Sequence, residues 1–393
     1  MYPDWKSLPS HILIAISGKL ELPSDYLRFS VVCKSWQSAA YHIRDQQAKI
    51  MSNSHHPPML LIPATEEDTW NLFNITDNKV LDMQVTVPSN YKRFCGSSKG
   101  WLIAMDEKFG VALINPFFRV KGRKETKNSI IQLPPIVHPT FPGYYEGLEY
   151  EGFLMSATIS ADPILHADDC IVVVSYQMHG QLAFFRLNKD TRWTDIGERP
   201  SLRKSYNMVK QVVHVDQDKF YAVDFFGRLL SFDVTSQLHS DVKVVTSGFG
   251  LYEMAYNSYL VYTNEREWLM IQRFVTYDAE FEKRKTKKFQ VFRLDVDTSE
   301  WIEKKNLGGI ALFLGANSLI AVSASKVTGC KPDCIYFNDD RDPDQLMVRN
   351  LPSDFDVYNF KTQRFKLPYN TCAKRLLKKS KRLPIWILPS FHL

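Results

Sequence analysis

Apolar residues along this chain recur with two different periods, and the change falls near His55. Before it the pattern is helical. Ile12, Leu13 and Ile16 lie between Pro9 and Gly18 and share one face of a helix, so this segment predicts a short amphipathic helix. Pro9 suits the first turn because its missing N–H would have no intrahelical partner there, and Gly18 is placed to stop the helix. Ser24 can cap a second helix reaching Leu27, and Val32, Trp36, Ala39 and Ile43 continue the apolar line on a third. About forty residues cannot easily bury three such stripes. Surplus apolar surface on so small a helical unit points to a partner protein.

After His55-His56-Pro57-Pro58 the apolar runs become short, β-branched and aromatic, with turn residues between them. Strands are predicted at Met59 to Ile62, Trp70 to Phe73, Trp101 to Met105, Val111 to Ile114, Ile171 to Tyr176 and Leu182 to Leu187, with another about Trp193 to Ile196. Further runs follow at Gln211 to Val215, Lys219 to Val223, Gly227 to Asp233, Val242 to Val245, Tyr259 to Tyr262, Trp268 to Phe274, Phe289 to Asp295 and Trp301 to Glu303. The sets repeat at about forty residues, the period of four-stranded propeller blades. Phe292-Arg293-Leu294-Asp295 with Trp301 matches Phe185-Arg186-Leu187-Asn188 with Trp193. About six blades are expected, from Met59 to near Leu367.

Two resemblances add to these readings. Leu8-Pro9, Ile12, Leu13, Ile16, Leu27, Val32-Cys33-Lys34 and Trp36 resemble an F-box, the three-helix module that docks on a Skp-type adaptor; Glu21-Leu22-Pro23-Ser24 departs from the shorter polar turn of many members. Later, Tyr259-Leu260-Val261, Arg273, Phe289 to Asp295, Trp301, Leu307-Gly308-Gly309, Ala311 to Gly315 and Gly329-Cys330-Lys331-Pro332-Asp333-Cys334-Ile335-Tyr336-Phe337 resemble the domain of unknown function that follows the F-box in a large plant family. Together they imply a small all-α F-box followed by a large all-β domain, a β-propeller of about six blades. The expected division is an F-box at 5–45, a linker at 46–58, the propeller-like recognition domain at 59–370 and a basic, apolar C-terminal segment at 371–393. The implied function is substrate recognition in an SCF-type ubiquitin ligase, and the implied partners are a Skp-type adaptor, a cullin through it, and an unidentified protein substrate. Leu8, Pro9, Ile12, Leu13, Ile16, Leu27, Val32, Cys33 and Trp36 are the adaptor-binding residues that this resemblance implies.

With 393 residues and 45% hydrophobic content the chain can build a substantial core. No basic segment leading into an apolar run opens it and no long uncharged apolar stretch occurs, so neither export nor a membrane is expected. Six scattered cysteines fit reduced thiols, and a cytoplasmic or nuclear location follows as an expectation. The net charge of +6 is concentrated in two runs, Lys283 to Lys288 and Lys374 to Arg382. The first reads as a solvated loop between strands, while the second has the composition of an import signal. A nucleic-acid or chromatin-associated protein that uses these runs and has a non-functional F-box is the alternative.

Motifs that invite catalysis fail on context. Gly96-Ser97-Ser98-Lys99-Gly100 has the form of a nucleophile elbow, but Trp101-Leu102-Ile103 continues as a strand where a helix is required. Cys330 and Cys334 lack a second ligand pair at zinc spacing, and Asp339-Asp340-Arg341-Asp342-Pro343-Asp344 lacks the glycine and final glutamate of a calcium loop, so it reads as a solvated hairpin. No phosphate-binding loop is present, and no metal, cofactor or catalytic residue is assigned.

Overall fold

The computed structural model describes residues 5–20, 29, 32–42, 57–122, 128–136, 154–176, 181–197, 209–216, 218–234, 242–248, 257–278, 283–327, 329–340, 354–366, 369–380 and 382–389. Helix α1 (Ser10–Ser17) packs on α2 (Lys34–His42). Pro9 stands at the N-cap of α1, one position before the first turn, and Gly18 is its C-cap. The expected middle helix from Ser24 through Leu27 lies outside the described residues.

Six sheets follow. Blade 1 holds β1 (Met59–Pro63), β2 (Thr69–Asn74) and β3 (Lys79–Thr86); blade 2 holds β4 (Tyr91–Ser98), β5 (Trp101–Asp106), β6 (Val111–Ile114) and β7 (Ile130–Leu133). Blade 3 is β8 (Leu154–Ile159), β9 (Ile171–Tyr176), β10 (Gln181–Arg186) and β11 (Thr194–Ile196), and blade 4 is β12 (Val209–Asp216), β13 (Lys219–Asp224), β14 (Leu229–Asp233) and β15 (Lys243–Val244). Blade 5 comprises β16 (Asn257–Tyr262), β17 (Trp268–Asp278), β18 (Lys283–Asp295) and β19 (Glu300–Lys304). Blade 6 comprises β20 (Ile310–Leu314), β21 (Leu319–Ser323), β22 (Cys334–Phe337), β23 (Asp356–Asn359) and β24 (Arg364–Lys366). Helix α3 (Thr371–Lys379) comes next, and β25 (Ile385–Ile387) returns to pair with β1 and complete blade 1. The propeller therefore extends past the boundary expected at residue 370.

Contacts among β25, β4, β8, β12, β16 and β21 run in that order and back to β25, so the innermost strands close a ring. Middle strands are covered on both faces by neighbouring blades. Thus β5, β6, β9, β20 and β22 are buried almost throughout and read as unbroken apolar runs, whereas β3 and β19 at the rim carry exposed positions. This is why the sequence pattern finds the middle strands of blades 1 to 5 and misses β3 and β7 at the rim; it also misses the inner strands β4 and β8, and its predicted strands end before β20.

Blade 6 departs from the simple order. Its inner strand is β21, with β20 beside it, and β20 pairs parallel with β22. A parallel pair needs a crossover, and residues 324–333 supply it. Gly329 is in the left-handed region at φ +84, and a Cβ there would meet the Thr76 side chain of blade 1 at 2.5 Å. The Gly329 to Phe337 motif is thus the crossover that closes blade 6 onto blade 1.

Candidate functional site

Two surfaces bear on function, the helical handle and the mouth and channel of the ring. In the handle, Leu13 is fully buried, while Ile12 and Val32 are 39% and 47% exposed. Pro9 is exposed and Leu8, Ile16 and Cys33 are half-buried, with the Cys33 thiol 3.0 Å from the Ser35 hydroxyl. Trp36 is half-buried as well. Its Nε1 donates to the Trp5 carbonyl at 2.9 Å and its ring lies 4.6 Å from that of Phe29. Leu27 lies outside the described residues.

The burial corrects the apolar line expected from sequence. That line ran through Val32, Trp36, Ala39 and Ile43; the structure buries Ala39 together with Phe29 and Ala40 but turns Val32 to solvent, and Ile43 lies outside the described residues. Phe29 is the residue that the sequence reading missed. Its spacing of seven from Trp36 and four from Cys33 was the available signal.

At the centre of the ring is a cavity of about 260 Å³ lined by the innermost strands. Its polar side chains are largely committed to joining blades. The Ser98 hydroxyl donates to the Ile159 carbonyl at 3.4 Å, the Val212 N–H donates to Ser156 Oγ at 3.2 Å, and the Gln211 amide exchanges two 2.8 Å bonds with the Leu260 backbone. Asn317 reaches the Phe94 carbonyl at 2.9 Å, and the Trp386 N–H donates to Ser318 Oγ at 3.1 Å. Among the described lining residues there is no carboxylate and one histidine, His214, whose ring sits 5.0 Å from Phe220. Lys99 also lines the cavity, and burial pulls its pKa below the usual lysine value.

Ser98 closes the elbow reading by its position. It ends β4, and Lys99 and Gly100, at φ 51 and 82, form the two-residue turn into β5. Two successive left-handed residues are the signature of a type I′ hairpin, so strands flank the motif on both sides.

Between blades 5 and 6 sits an ionic cluster. Arg273 on β17 is 1% exposed; its Nη1 donates to Asp340 Oδ1 and to the Asn338 carbonyl, and its Nη2 donates to Asp354 at 2.9 Å. Its Nε donates to Thr286 Oγ1 at 2.9 Å, and the guanidinium lies 4.9 Å from the Phe337 ring centre. Asp340 also accepts from the Tyr259 hydroxyl and from Asn257. Two expectations fall here. Asp339 and Asp340 are buried rather than part of a solvated hairpin, because Arg273 draws Asp340 into the blade interface; residues 341–344 lie outside the described residues. The basic run Lys283 to Lys288 is not a loop but the first half of β18, paired with β17 on either side of a register shift at Lys287.

Cys330 and Cys334 are free, buried thiols at the two ends of the crossover segment's last turn. Burial pushes Cys330 up to about 12 and raises Cys334, so both stay protonated at neutral pH. Asn359 donates to Cys334 Sγ at 3.7 Å.

Comparison with known proteins agrees with this architecture. The family model described as KIB1-4 beta-propeller matches residues 72–359, and the F-box-like model matches residues 5–44. Among curated proteins of Arabidopsis thaliana, F-box protein SKIP23 is 25% identical over 93% of this chain and 91% of its own length. F-box protein At2g26160 is 24% identical over 86% of this chain and 96% of its own. A solved β-propeller domain, Cps50 (Swd1) of Myceliophteria_thermophila, overlays 84% of this chain and all of its own at a TM-score of 0.39 and 9% identity; the six-bladed ring rests on the sheets themselves. With the family model covering most of the ring and an F-box-like module ahead of it, the chain belongs to the KIB1-4 beta-propeller family of plant-type F-box proteins.

Proposed function

We propose that this protein is the substrate-recognition subunit of an SCF-type ubiquitin ligase, in which the handle docks on a Skp-type adaptor and the propeller holds a target protein. The observation that carries the reading is the handle itself: an F-box-like module that leaves Ile12 and Val32 exposed beside a core built on Leu13, Phe29 and Ala40. Exposed aliphatic side chains on adjoining elements suit a helix-packing partner. The relatives' names as F-box proteins support the general role. The chain acts by positioning: tethering a target near the ubiquitin-carrying enzyme raises its effective concentration without any bond chemistry in the propeller. In this reading Ile12, Val32 and Pro9 touch the adaptor, while Leu13 and Trp36 hold the helices that present them. Action in the cytoplasm, the nucleus or both is part of the same proposal.

The test is capture of a purified Skp-type adaptor by the full chain. Ile12→Asp with Val32→Asp should weaken capture by at least about tenfold while leaving the thermal transition of the propeller unchanged. Undiminished capture by that double variant would overturn the assignment.

A further inference from the structure

The two basic runs are about ninety residues apart in sequence, and the fold brings them to one place. Thr286, in the first run, donates from its N–H at 2.8 Å and from its hydroxyl at 2.7 Å to Asp354, just ahead of β23. Two residues further on, the Asp356 carboxyl lies within the electrostatic reach of both Lys285 on β18 and Lys374 on α3. Helix α3 packs on β1 and β3, and Ala373 and Leu377 join the buried cluster shared by blades 1 and 6. The helical period then turns Arg375, Lys378 and Lys379 to solvent, with Lys374 half-buried at their edge. Lys285 and Lys287 are exposed on the neighbouring hairpin.

We propose that Lys285 and Lys287 of the β17–β18 hairpin and Lys374, Arg375, Lys378 and Lys379 of α3 form one docking surface for a short, carboxylate-rich segment of a target protein. The proposal rests on the receptor reading above and names the chemistry of what the receptor takes. Charge complementarity favours an anionic occupant, and three features favour a peptide. The surface is compact, since α3 has nine residues and spans about 13 Å. Its cations are mostly lysines on flexible stems, which suit the scattered carboxylates of a peptide better than a bidentate phosphate fork. Single-stranded nucleic acid needs free aromatic faces for stacking. Among the described propeller residues the one exposed large aromatic is Phe365, and its ring is held against Tyr358 at 4.9 Å.

Binding of a fluorescein-labelled decapeptide of glutamates to the full chain, followed by anisotropy at low and raised salt, tests this. The expected result is saturable binding that weakens with salt. Lys285→Gln with Lys287→Gln, and separately Lys378→Gln with Lys379→Gln, should each reduce affinity several-fold, and the four together by at least about tenfold. These are surface changes away from the core, so retained cooperative melting checks that each variant is folded. No saturable peptide binding overturns the proposal, as does loss in only one of the two pairs, which would show that the runs do not act together. Tighter binding of a DNA duplex or of anionic phosphatidylserine vesicles than of the peptide overturns it in favour of that other occupant. Adaptor capture measured on the same preparations separates the two readings: capture without peptide binding defeats this inference alone, and peptide binding without capture defeats the ligase reading alone.

Discussion

Arg273 shows how much can hang on one side chain. It balances Asp340 and Asp354 inside a blade interface, and every polar atom of its guanidinium has an acceptor within reach. Breaking a buried ion pair from one side leaves the other charge stranded, which typically costs about 3 to 5 kcal/mol. Arg273→Met should therefore lower the urea midpoint by an amount equivalent to several kcal/mol, and adding Asp340→Asn and Asp354→Asn should recover much of it. A loss below about 1 kcal/mol in Arg273→Met would show that the cluster does not hold blades 5 and 6 together. Asp356 offers a test with a sign. Burial raises its pKa above the ordinary aspartate value, against the Val357 N–H at 2.7 Å and the lysines nearby. A carboxyl whose folded pKa is raised adds stability at acid pH, and that contribution is lost as pH rises through the folded pKa. Asp356→Asn should therefore raise the melting temperature at pH 7, and the advantage should vanish near pH 3. An unchanged or growing advantage at acid pH would contradict the burial argument. Nothing in the run of residues around Asp340 or Asp354 announces burial, because the partner, Arg273, is remote in sequence.

Among the elements, β25 has consequences out of proportion to its three residues. It supplies the inner strand of blade 1, and Trp386 within it is fully buried, with its Nε1 donating to the Leu314 carbonyl at 3.1 Å. Its ring sits edge-on to Phe313 at 5.0 Å. Trp386→Ala should cost about 3 to 5 kcal/mol, read from chemical denaturation, and should loosen blades 1 and 6 together. Protection from hydrogen exchange lost in blade 1 alone would argue against the shared closure. The sequence showed this tail as an apolar terminal segment after a basic run. It did not show the partner, since β1 stands more than three hundred residues earlier. Helix α1 teaches the opposite lesson. Its apolar stripe was legible from spacing, but which members face inward depended on Phe29 and α2, so Leu13 is core and Ile12 is surface.

At the scale of the molecule, the innermost strands of the six blades adjoin one another around a closed ring, and each blade is covered by its neighbours. Tryptophans lie in blades 1, 2, 3 and 5, at Trp70, Trp101, Trp193 and Trp268, so fluorescence samples much of the circle. Fluorescence and far-ultraviolet circular dichroism should therefore report coincident urea transitions; separated midpoints would mean that blades unfold as independent units. The local code determined a great deal of this protein. Period and turn chemistry marked the helical handle, the all-β body and the forty-residue rhythm of the blades, because middle strands buried on both faces must be apolar throughout. The ordered residues from Leu8 to Trp36 carried the likeness to an F-box. Tertiary structure decided what depends on pairing across long separations: the closure by β25, the reversed order of β20 and β21, the burial of Asp340 by Arg273, and the meeting of the two basic runs at Asp356. Local sequence sets the period and polarity of each element, whereas its partners are set by contacts between residues that only the closed ring brings together.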